Sequence, residues 1–307
     1  MEKELTQIDI AQEVIIIGGS YAGLSAAMTL ARAGRKVLLI DSGKPCNAQT
    51  PYSHNFLTQD GQRPEAIAKI ALAEVLKYPT VSHLNDLAVS AKQINGLFEV
   101  KTVSGLSFSA KKLLFATGVK DLMPAIKGFA ECWGISVIHC PYCHGYEVRQ
   151  QKTAILANGD TAFHLAQVLN QWTKDMVLFT NGPVQLNMEQ QQQLQTHGIS
   201  ILETPILEIQ HENGQLKSLL LEDGQQYFFK AMYSRVGFVQ HSDIPESLGC
   251  ALNEQGYLVV DDKKQSSIPG IYAAGDNTTM ARSVSLAVAS GSLSGVAINS
   301  ALILESW

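Results

Sequence analysis

Two cysteines separated by two residues form the segment CPYC at residues 140–143. Thiols at this spacing can close a disulfide, and the positive end of a helix starting there favours the thiolate that acts as nucleophile. His144 follows directly, and an imidazole, which titrates near neutrality, can give and take the proton that thiol–disulfide exchange requires. We therefore predict a redox-active disulfide with Cys140, Cys143 and His144 as catalytic residues. Glu147 would either orient this imidazole or be a plain helix carboxylate.

Two other uses of the cysteine pair stay open on the residues alone. One is half of a zinc site, whose further ligands would be Cys132, His139 or His144 at irregular spacing. The other is a reduced structural pair, since free cysteines are often buried in cores. Five cysteines without a regular framework favour a reducing compartment over a disulfide-stapled secreted protein. We predict no metal site, and we expect Cys46, Cys132 and Cys250 to be free thiols.

A glycine-rich segment near the start of the chain predicts a phosphate-binding turn. The residues GGSYAG occupy positions 18–23, between the apolar runs VIII and KVLLID. Gly18 would make the tight turn, Gly23 would let the helix pack closely on the strand, and free N–H groups at the helix start would meet a pyrophosphate. Ser20 departs from the GxGxxG pattern at its second glycine. Asp41 stands 23 residues after Gly18, where an acid that binds an adenosine ribose is expected.

Apolar runs, turns and small-residue helices follow one another as β-α-β units, so we predict an α/β fold. A second unit begins near Gln151, with a strand KTAIL, a turn over residues 157–162, a helix and a strand MVLF. The other predicted elements are an amphipathic helix around Pro64 to Tyr78, a hairpin with strands 97–103 and 106–109, a strand over 111–118, a solvated Gln-rich helix face at 189–195, and β structure at 256–260 and 268–277.

Composition excludes some functions and leaves one apolar run to explain. The 307 residues are 46% hydrophobic, and 23 basic residues face 28 acidic ones, so we expect a large core and no nucleic-acid binding. Residues 283–304 form a charge-free run with a GxxxG pattern. We prefer a buried helix to a membrane anchor there because the run holds six Ser and one Asn. The acidic start is unlike a signal peptide, so we predict a cytoplasmic protein without membrane contact.

Four motifs together resemble the low-molecular-mass thioredoxin reductase family over nearly the whole chain. They are residues 18–23, Ala116-Thr117-Gly118, the CxxC at 140–143, and Gly275-Asp276. The strings SHNFLTQDG at 53–61 and CHGYE at 143–147 are similar to a side branch that includes gliotoxin-type dithiol oxidases and bacterial thioredoxin-reductase-like proteins. The resemblance implies two Rossmann-like nucleotide-binding domains of the three-layer ββα type, the second inserted into the first.

The resemblance also implies how the cofactor and the domains are arranged. Residues 1–118 and 241–307 would form an FAD domain, and residues 119–240 an NAD(P)H-binding-like domain that carries the CxxC. Cys143 would lie against the flavin, Cys140 would attack the partner disulfide, and the protein would be a homodimer. The residues it assigns to FAD are Gly18, Gly19, Ser20, Ala22, Gly23, Asp41, His54, Thr117, Gly118, Gly275, Asp276, Arg282 and Ser283. Family members usually have Arg-Gln where this chain has Arg282-Ser283, so that Gln contact is lost, while the helix N-terminus could still stabilise the anionic reduced flavin.

The second β-α-β unit departs from an NADPH-binding pattern. Ala157 replaces the first glycine of the expected GxGxxA turn, and residues 180–182 stand where basic side chains would clamp a 2′-phosphate. No Arg occurs between positions 149 and 235, and Lys174 is the only Lys between positions 152 and 217. No acid is placed to accept a free ribose diol either. We therefore expect NADPH binding to fail and NADH binding to be weak.

Three functions follow from these observations. The first, our main prediction, is an FAD-dependent disulfide reductase acting on thioredoxin or a similar protein, fed poorly by NAD(P)H or by another reductant such as ferredoxin. The second is the reverse reaction at the same centre, a dithiol oxidase in which a small dithiol reduces Cys140–Cys143 and oxygen reoxidises the flavin. The third is a non-catalytic flavoprotein such as a redox sensor, which the intact CxxC disfavours.

Overall fold

The computed structural model describes residues 12–307, and its larger sheet has seven strands. These are β1 (Gln12–Ile17), β2 (Val37–Asp41), β3 (Val81–Asn85), β4 (Ala88–Ile94), β5 (Leu97–Thr102), β6 (Ser107–Phe115) and β17 (Ile271–Ala273). The order is β3-β2-β1-β6-β5-β4, with β17 also paired to β6. Residues 14–17 and 37–40 are all buried, as expected for parallel strands covered on both faces.

Three helices pack on this sheet: α1 (Tyr21–Arg32), α2 (Pro64–Val75) and α8 (Val284–Leu304). By length and composition alone, α8 could cross a membrane. One of its faces packs along α1, and the GxxxG pattern serves that contact. A Cβ at Gly291 would lie 2.0 Å from the carbonyl oxygen of Ala22, and one at Gly295 would lie 2.7 Å from the Cβ of Thr29. The two glycines therefore let the helix backbones approach each other.

The second sheet is parallel and belongs to the middle of the chain. Its strands are β8 (Val137–Ile138), β9 (Thr153–Leu156), β10 (Met176–Phe179), β11 (Ser200–Leu202) and β15 (Ala231–Ser234), in the order β11-β10-β9-β15-β8. A three-stranded antiparallel sheet lies beside it, with β12 (Ile206–Glu212), β13 (Gln215–Leu221) and β14 (Gln226–Phe228). The helices of this part are α3 (Phe129–Cys132), α4 (Pro141–His144), α5 (Gly159–Leu169) and α6 (Met188–Thr196).

A two-stranded antiparallel ribbon joins the two parts. It consists of β7 (Val119–Leu122) and β16 (Gly237–Gln240), the places where the sequence predicts the chain to leave and re-enter the first domain. We call the part on the seven-stranded sheet the first domain and the part between the ribbon strands the inserted domain. The short helix α7 (Ile244–Ser247) and a 3₁₀ turn (Asp276–Thr278) follow in the first domain. The predicted α/β class with two Rossmann-like units is confirmed.

Two strand predictions differ from the structure. The separate strands expected at 106–109 and 111–118 are one strand, β6, because its first half pairs with β5 while its second half pairs with β17. The β structure expected at 256–260 is reduced to isolated bridges. There the N–H of Leu258 bonds to the carbonyl oxygen of Asn277 rather than to a neighbouring strand.

Candidate active site

The turn between β1 and α1 has no room for side chains at its glycines. Gly18 has a φ of +107°, and a Cβ there would lie 2.2 Å from the carbonyl oxygen of Ala116. A Cβ at Gly23 would lie 1.9 Å from the carbonyl oxygen of Gly18. Ser20 is the N-cap of α1, but its side chain makes no capping hydrogen bond. The N–H groups of the first helical turn are therefore left for an anion.

Asp41 ends β2 beside this turn and borders a large cleft. Its Oδ1 accepts the N–H of Gly19 at 2.9 Å, and its Oδ2 accepts the N–H of Gly43 at 3.2 Å. The cleft has a volume of about 680 Å³, which lies within the ~300–1,000 Å³ usual for ligand sites. Five predicted cofactor residues line it: Gly18, Gly19, Ser20, Asp41 and Thr117.

The cleft continues into a narrower cavity of about 160 Å³ between the two domains. Ser20, Tyr21 and Cys46 line both spaces. The narrow cavity brings together nine predicted residues: Ser20, Ala22, His54, Cys143, His144, Gly275, Asp276, Arg282 and Ser283. Gly23, Gly118 and Cys140 line neither space. Of the two cysteines, Cys143 therefore faces the cavity.

Cys140 and Cys143 form a disulfide, with Cα atoms 5.3 Å apart. Cys140 is the N-cap of α4, and its Sγ accepts the N–H of Cys143 at 3.1 Å. Because α4 is a single turn, this one N–H, rather than a long helix dipole, would stabilise a Cys140 thiolate. The turn ends at Gly145, where there is no room for a side chain because a Cβ would lie 2.3 Å from the carbonyl oxygen of Pro141.

The remaining cysteines take no part in this centre. Cys46, Cys132 and Cys250 are free thiols, as predicted. Burial raises the pKa of Cys132 to about 11, so this group is a neutral thiol at pH 7. Within residues 12–307, no group of three or more ligating side chains is placed to hold a metal ion.

His144 lies beside the disulfide and close to a second histidine. Its ring meets that of His54 edge to face, with ring centroids 6.1 Å apart. Burial lowers the pKa of His144, the charge of His54 lowers it further, and Glu147 opposes the shift. The imidazole is therefore neutral at pH 7 and can accept a proton from an attacking thiol. The carboxylate of Glu147 lies near the other ring, with Oε1 3.7 Å from His54 Nδ1.

Sequence reasoning placed Arg282 at the cofactor but missed Asp121 and Trp133, which complete a tie between the two domains at the cavity. The guanidinium of Arg282 donates to both carboxylate oxygens of Asp121, at 2.8 to 3.1 Å. Trp133 Nε1 donates to Asp121 Oδ2 at 3.1 Å. The side chains of Arg282 and Asp121 are only 14% and 8% exposed. This tie joins the start of α8 to β7 and, through Trp133, to the inserted domain.

His139 is a further missed residue of the cavity wall. Trp133 stacks on Phe129 and on His139, with ring centroids 5.6 and 5.7 Å apart. Burial, with a further contribution from the charge of Arg282, lowers the pKa of His139 to about 4, so this imidazole is neutral. Its position directly before Cys140 was the available signal, but the sequence considered alone suggested only a zinc ligand.

Ser283 has a local structural role as well as a place in the cavity wall. It is the N-cap of α8, and its Oγ accepts the N–H of Leu286 at 3.2 Å. The N-terminus of α8, which was predicted to face the flavin, borders the cavity. One of its N–H groups is already bonded to Ser283.

The turn between β9 and α5, where a pyridine nucleotide would bind, is closed by its own side chains. Asn158 is the N-cap of α5, and its Oδ1 accepts the N–H groups of Gly159 and Gln185, both at 2.9 Å. Its Nδ2 donates to the carbonyl oxygen of Pro183 at 2.9 Å. The amide of Asn158 thus uses a helix N-terminal N–H that a phosphate would need, and it holds the loop 180–185 against the turn.

The polar residues around this turn are also engaged. Thr180 is buried, and its hydroxyl donates to the carbonyl oxygen of Gly182 at 2.6 Å. Asn181 accepts the N–H of Ile206 at 2.8 Å. Asp160 adds a negative charge to the first turn of α5, where it accepts a hydrogen bond from Gln190 at 2.8 Å. A carboxylate at this position repels a pyrophosphate.

The fold and the disulfide define a class that the comparisons with known proteins also identify. The family model of the pyridine nucleotide-disulphide oxidoreductases matches residues 12–291, and the chain belongs to that family. Within it, the chain is one of the low-molecular-mass thioredoxin reductase-like proteins. It is 30% identical to thioredoxin reductase tcpT of Claviceps purpurea, over 95% of each chain. It is also 30% identical to thioredoxin reductase aclD of Aspergillus oryzae, over 95% of this chain and 97% of aclD. An oxidoreductase structure from Agrobacterium tumefaciens is 37% identical with a TM-score of 0.90, over 96% of this chain and 99% of that one.

Proteins of this family bind FAD, and the cleft and cavity suit that cofactor. When bound, FAD accepts or supplies two electrons at the disulfide. The steric limits at Gly18 and Gly23 leave the backbone open to a pyrophosphate, which the start of α1 would hold. By the resemblance, Asp41 would hold the adenosine ribose and Asp276 the ribityl chain. Arg282 Nε is buried without a hydrogen-bond partner among the described residues, which suits a polar ligand at the cavity. The protein is an FAD-dependent disulfide oxidoreductase.

Proposed function

We propose that this enzyme moves electrons between FAD and a substrate disulfide or dithiol through Cys140–Cys143, without efficient use of a pyridine nucleotide. The observation that carries the proposal is the closed turn at Asn158, together with the carboxylate of Asp160. Binding NADPH there would require breaking the bonds of Asn158 and placing phosphate beside a negative charge, and the loop 180–185 after β10 has no basic side chain to compensate.

The two cysteines divide the chemistry between them. Cys143 borders the cavity that would hold the flavin, so it is the sulfur that exchanges electrons with the cofactor. Cys140 lies outside that cavity, and the N–H of Cys143 stabilises it as a thiolate, so it exchanges with the substrate sulfur. His144 gives or takes the proton of the thiol that attacks or leaves.

The substrate and the electron donor follow from the relatives and from the closed turn. Thioredoxin or a similar protein is the proposed disulfide substrate, since the relatives tcpT and aclD are thioredoxin reductases by name. The proposed donor is then a reductant other than NADPH, such as ferredoxin. The closed turn equally favours the second candidate, a dithiol oxidase that returns electrons to oxygen, because that direction needs no pyridine nucleotide.

We further propose a cytoplasmic homodimer. The face of α8 turned away from α1 is apolar, with Leu286, Leu293, Val296 and Leu304 each between 43% and 78% exposed. These side chains recur at helical spacing and would be covered by a second copy of the chain. Light scattering on the purified protein would test this, and a monomer at micromolar concentration would contradict it.

Oxygen consumption in the presence of dithiothreitol, with the Cys140→Ser and Cys143→Ser variants alongside, tests the chemistry and its direction. Uptake that both substitutions abolish would show dithiol oxidation. No uptake, together with flavin-dependent reduction of a thioredoxin disulfide, would show the reductase direction. Cys250→Ser is the matched control, because it is the same substitution at a free thiol that bonds Ser266 in the first-domain core. Activity in either direction that survives in both active-site variants would contradict the proposal.

A further inference from the structure

A second histidine connects the active-site imidazole with the protein surface. The ring centroids of His144 and His54 lie 6.1 Å apart. His54 Nδ1 in turn lies 3.7 Å from Asp60 Oδ1 and 3.7 Å from Glu147 Oε1. Side-chain exposure rises from 19% at His54 to 70% at Asp60. We propose that His54 is a proton-transfer residue that exchanges protons between His144 and solvent, with Asp60 at the outer end.

The stoichiometry of the exchange requires such a path, and this step rests on the proposed function. In dithiol oxidation, one substrate thiol gives up its proton and attacks Cys140, the Cys140–Cys143 bond breaks, and Cys143 leaves with the electron pair as a thiolate. The second substrate thiol then gives up its proton and attacks the substrate sulfur bonded to Cys140, the substrate disulfide forms, and Cys140 leaves as a thiolate. The substrate is oxidised, the cysteine pair is reduced, and two protons are released. One imidazole holds one proton, so His144 must pass the first proton on before it takes the second.

The loop that carries His54 is built to hold it in this position. The N–H of Ser53 bonds to the carbonyl oxygen of Gln62 at 2.7 Å, which closes the loop. The N–H of Asn55 bonds to Asp60 Oδ1 at 2.8 Å, so the carboxylate is folded back towards the histidine. Ser285 Oγ donates to the carbonyl oxygen of Asn55 at 2.9 Å and fixes the loop on α8. Hydrogen bonds to backbone groups of the loop thus fix the positions of Asp60 and of the residue that carries the imidazole.

The charges around the two rings suit transfer in both directions. The ionisable groups that act on His144 are His54, Glu147 and His139, and those beside His54 are Asp60 and Glu147. The burial of His144 favours its neutral form, so a proton taken there is released readily. Asp60 Oδ1 and Glu147 Oε1 each lie 3.7 Å from Nδ1 of the ring that receives it. In the proposed relay, one bridging water molecule lies between the rings, whose centroids are 6.1 Å apart.

The test measures how fast dithiothreitol bleaches the flavin under anaerobic conditions in the wild type, His54→Gln and Asp60→Asn. We expect His54→Gln to slow bleaching about tenfold and added imidazole buffer to restore part of the rate, because a soluble base replaces the lost relay. Asp60→Asn should show a smaller loss with the same rescue. His164→Gln is the matched control, since His164 is exposed on α5. It should equal the wild type with or without imidazole.

Two results separate this inference from the function beneath it. If dithiothreitol does not bleach the wild-type flavin, the proposed function fails and no relay is at issue. If the wild type bleaches but His54→Gln does so at the same rate, the relay is overturned. A slowed His54→Gln variant that imidazole does not rescue also overturns it, because that result indicates a flavin contact or a loop support. FAD content, measured on each variant, shows that every compared sample is loaded.

Discussion

Replacing Asp121 by Asn perturbs the tie between α8 and the inserted domain while keeping the shape of the side chain. The carboxylate of Asp121 receives the fork of Arg282 and the N–H of Trp133. An Asn oxygen can still accept from Trp133, so the main loss is the negative charge opposite Arg282. That guanidinium is only 14% exposed and cannot regain full hydration.

The size of the effect follows from this burial. Breaking a buried ion pair by removing one partner costs about 3–5 kcal/mol. Two features reduce that figure here, because the Asn oxygen retains one hydrogen bond and Asp276 Oδ2 lies 3.8 Å from Arg282 Nε as a second carboxylate. We expect a loss of about 2–3 kcal/mol in the free energy of unfolding. For a chain of this size, that loss lowers the melting temperature by roughly 4–10 °C.

Thermal unfolding of the FAD-loaded protein, followed by flavin fluorescence, measures this shift. Asp243→Asn is the matched control, because Asp243 is exposed at the start of α7 and its side chain makes no capping bond. Its stability should stay within about 0.5 kcal/mol of the wild type. Equal melting temperatures for the two variants would refute the reasoning, since they would mean that the Arg282–Asp121 tie contributes nothing to the stability of the fold.

Three further results are expected. His144→Gln should slow flavin bleaching by a dithiol about 10²- to 10⁴-fold at unchanged FAD content, and an unaltered stopped-flow rate would remove His144 from the mechanism. Because the pKa of His144 is lowered, its neutral form persists below the usual range. The wild-type bleaching rate should therefore fall only below pH 6.5, where His144 becomes protonated, and this fall should be absent in His144→Gln. A His144-dependent fall centred above pH 6.5 would contradict the lowered pKa. Gly23→Ala should purify without bound FAD, because its Cβ would lie 1.9 Å from the carbonyl oxygen of Gly18. The control Gly237→Ala should stay yellow, because the nearest atom to its Cβ is 3.7 Å away. A yellow Gly23→Ala protein would show that the turn can relax.

Features that depend on short-range geometry could be predicted from the sequence. The turn at Gly18 and Gly23 is one, because the close backbone contacts that exclude a Cβ arise within a single strand–turn–helix unit. The Cys140–Cys143 disulfide is another, since two thiols three positions apart at a helix start are already within bonding range. Both are fixed before the rest of the chain is placed.

Features that depend on distant segments could not be predicted. Asp121 and Arg282 lie 161 positions apart, and neither belongs to a motif that would pair them. The absence of basic residues after β10 was visible in the sequence, but the closure of the turn by Asn158 was not, because it requires loop 180–185 to fold back. The strand expected at 256–260 failed for the same reason, since its N–H groups find partners elsewhere.

The central claim is that electrons pass through Cys140–Cys143 and not through a working pyridine-nucleotide site at Asn158. An anaerobic titration of the FAD-loaded protein with NADPH, then NADH, then dithiothreitol, followed by the visible absorbance of the flavin, tests it most directly. The account predicts no prompt bleaching by either nucleotide and complete bleaching by the dithiol. Prompt, stoichiometric bleaching by NADPH or NADH would contradict it.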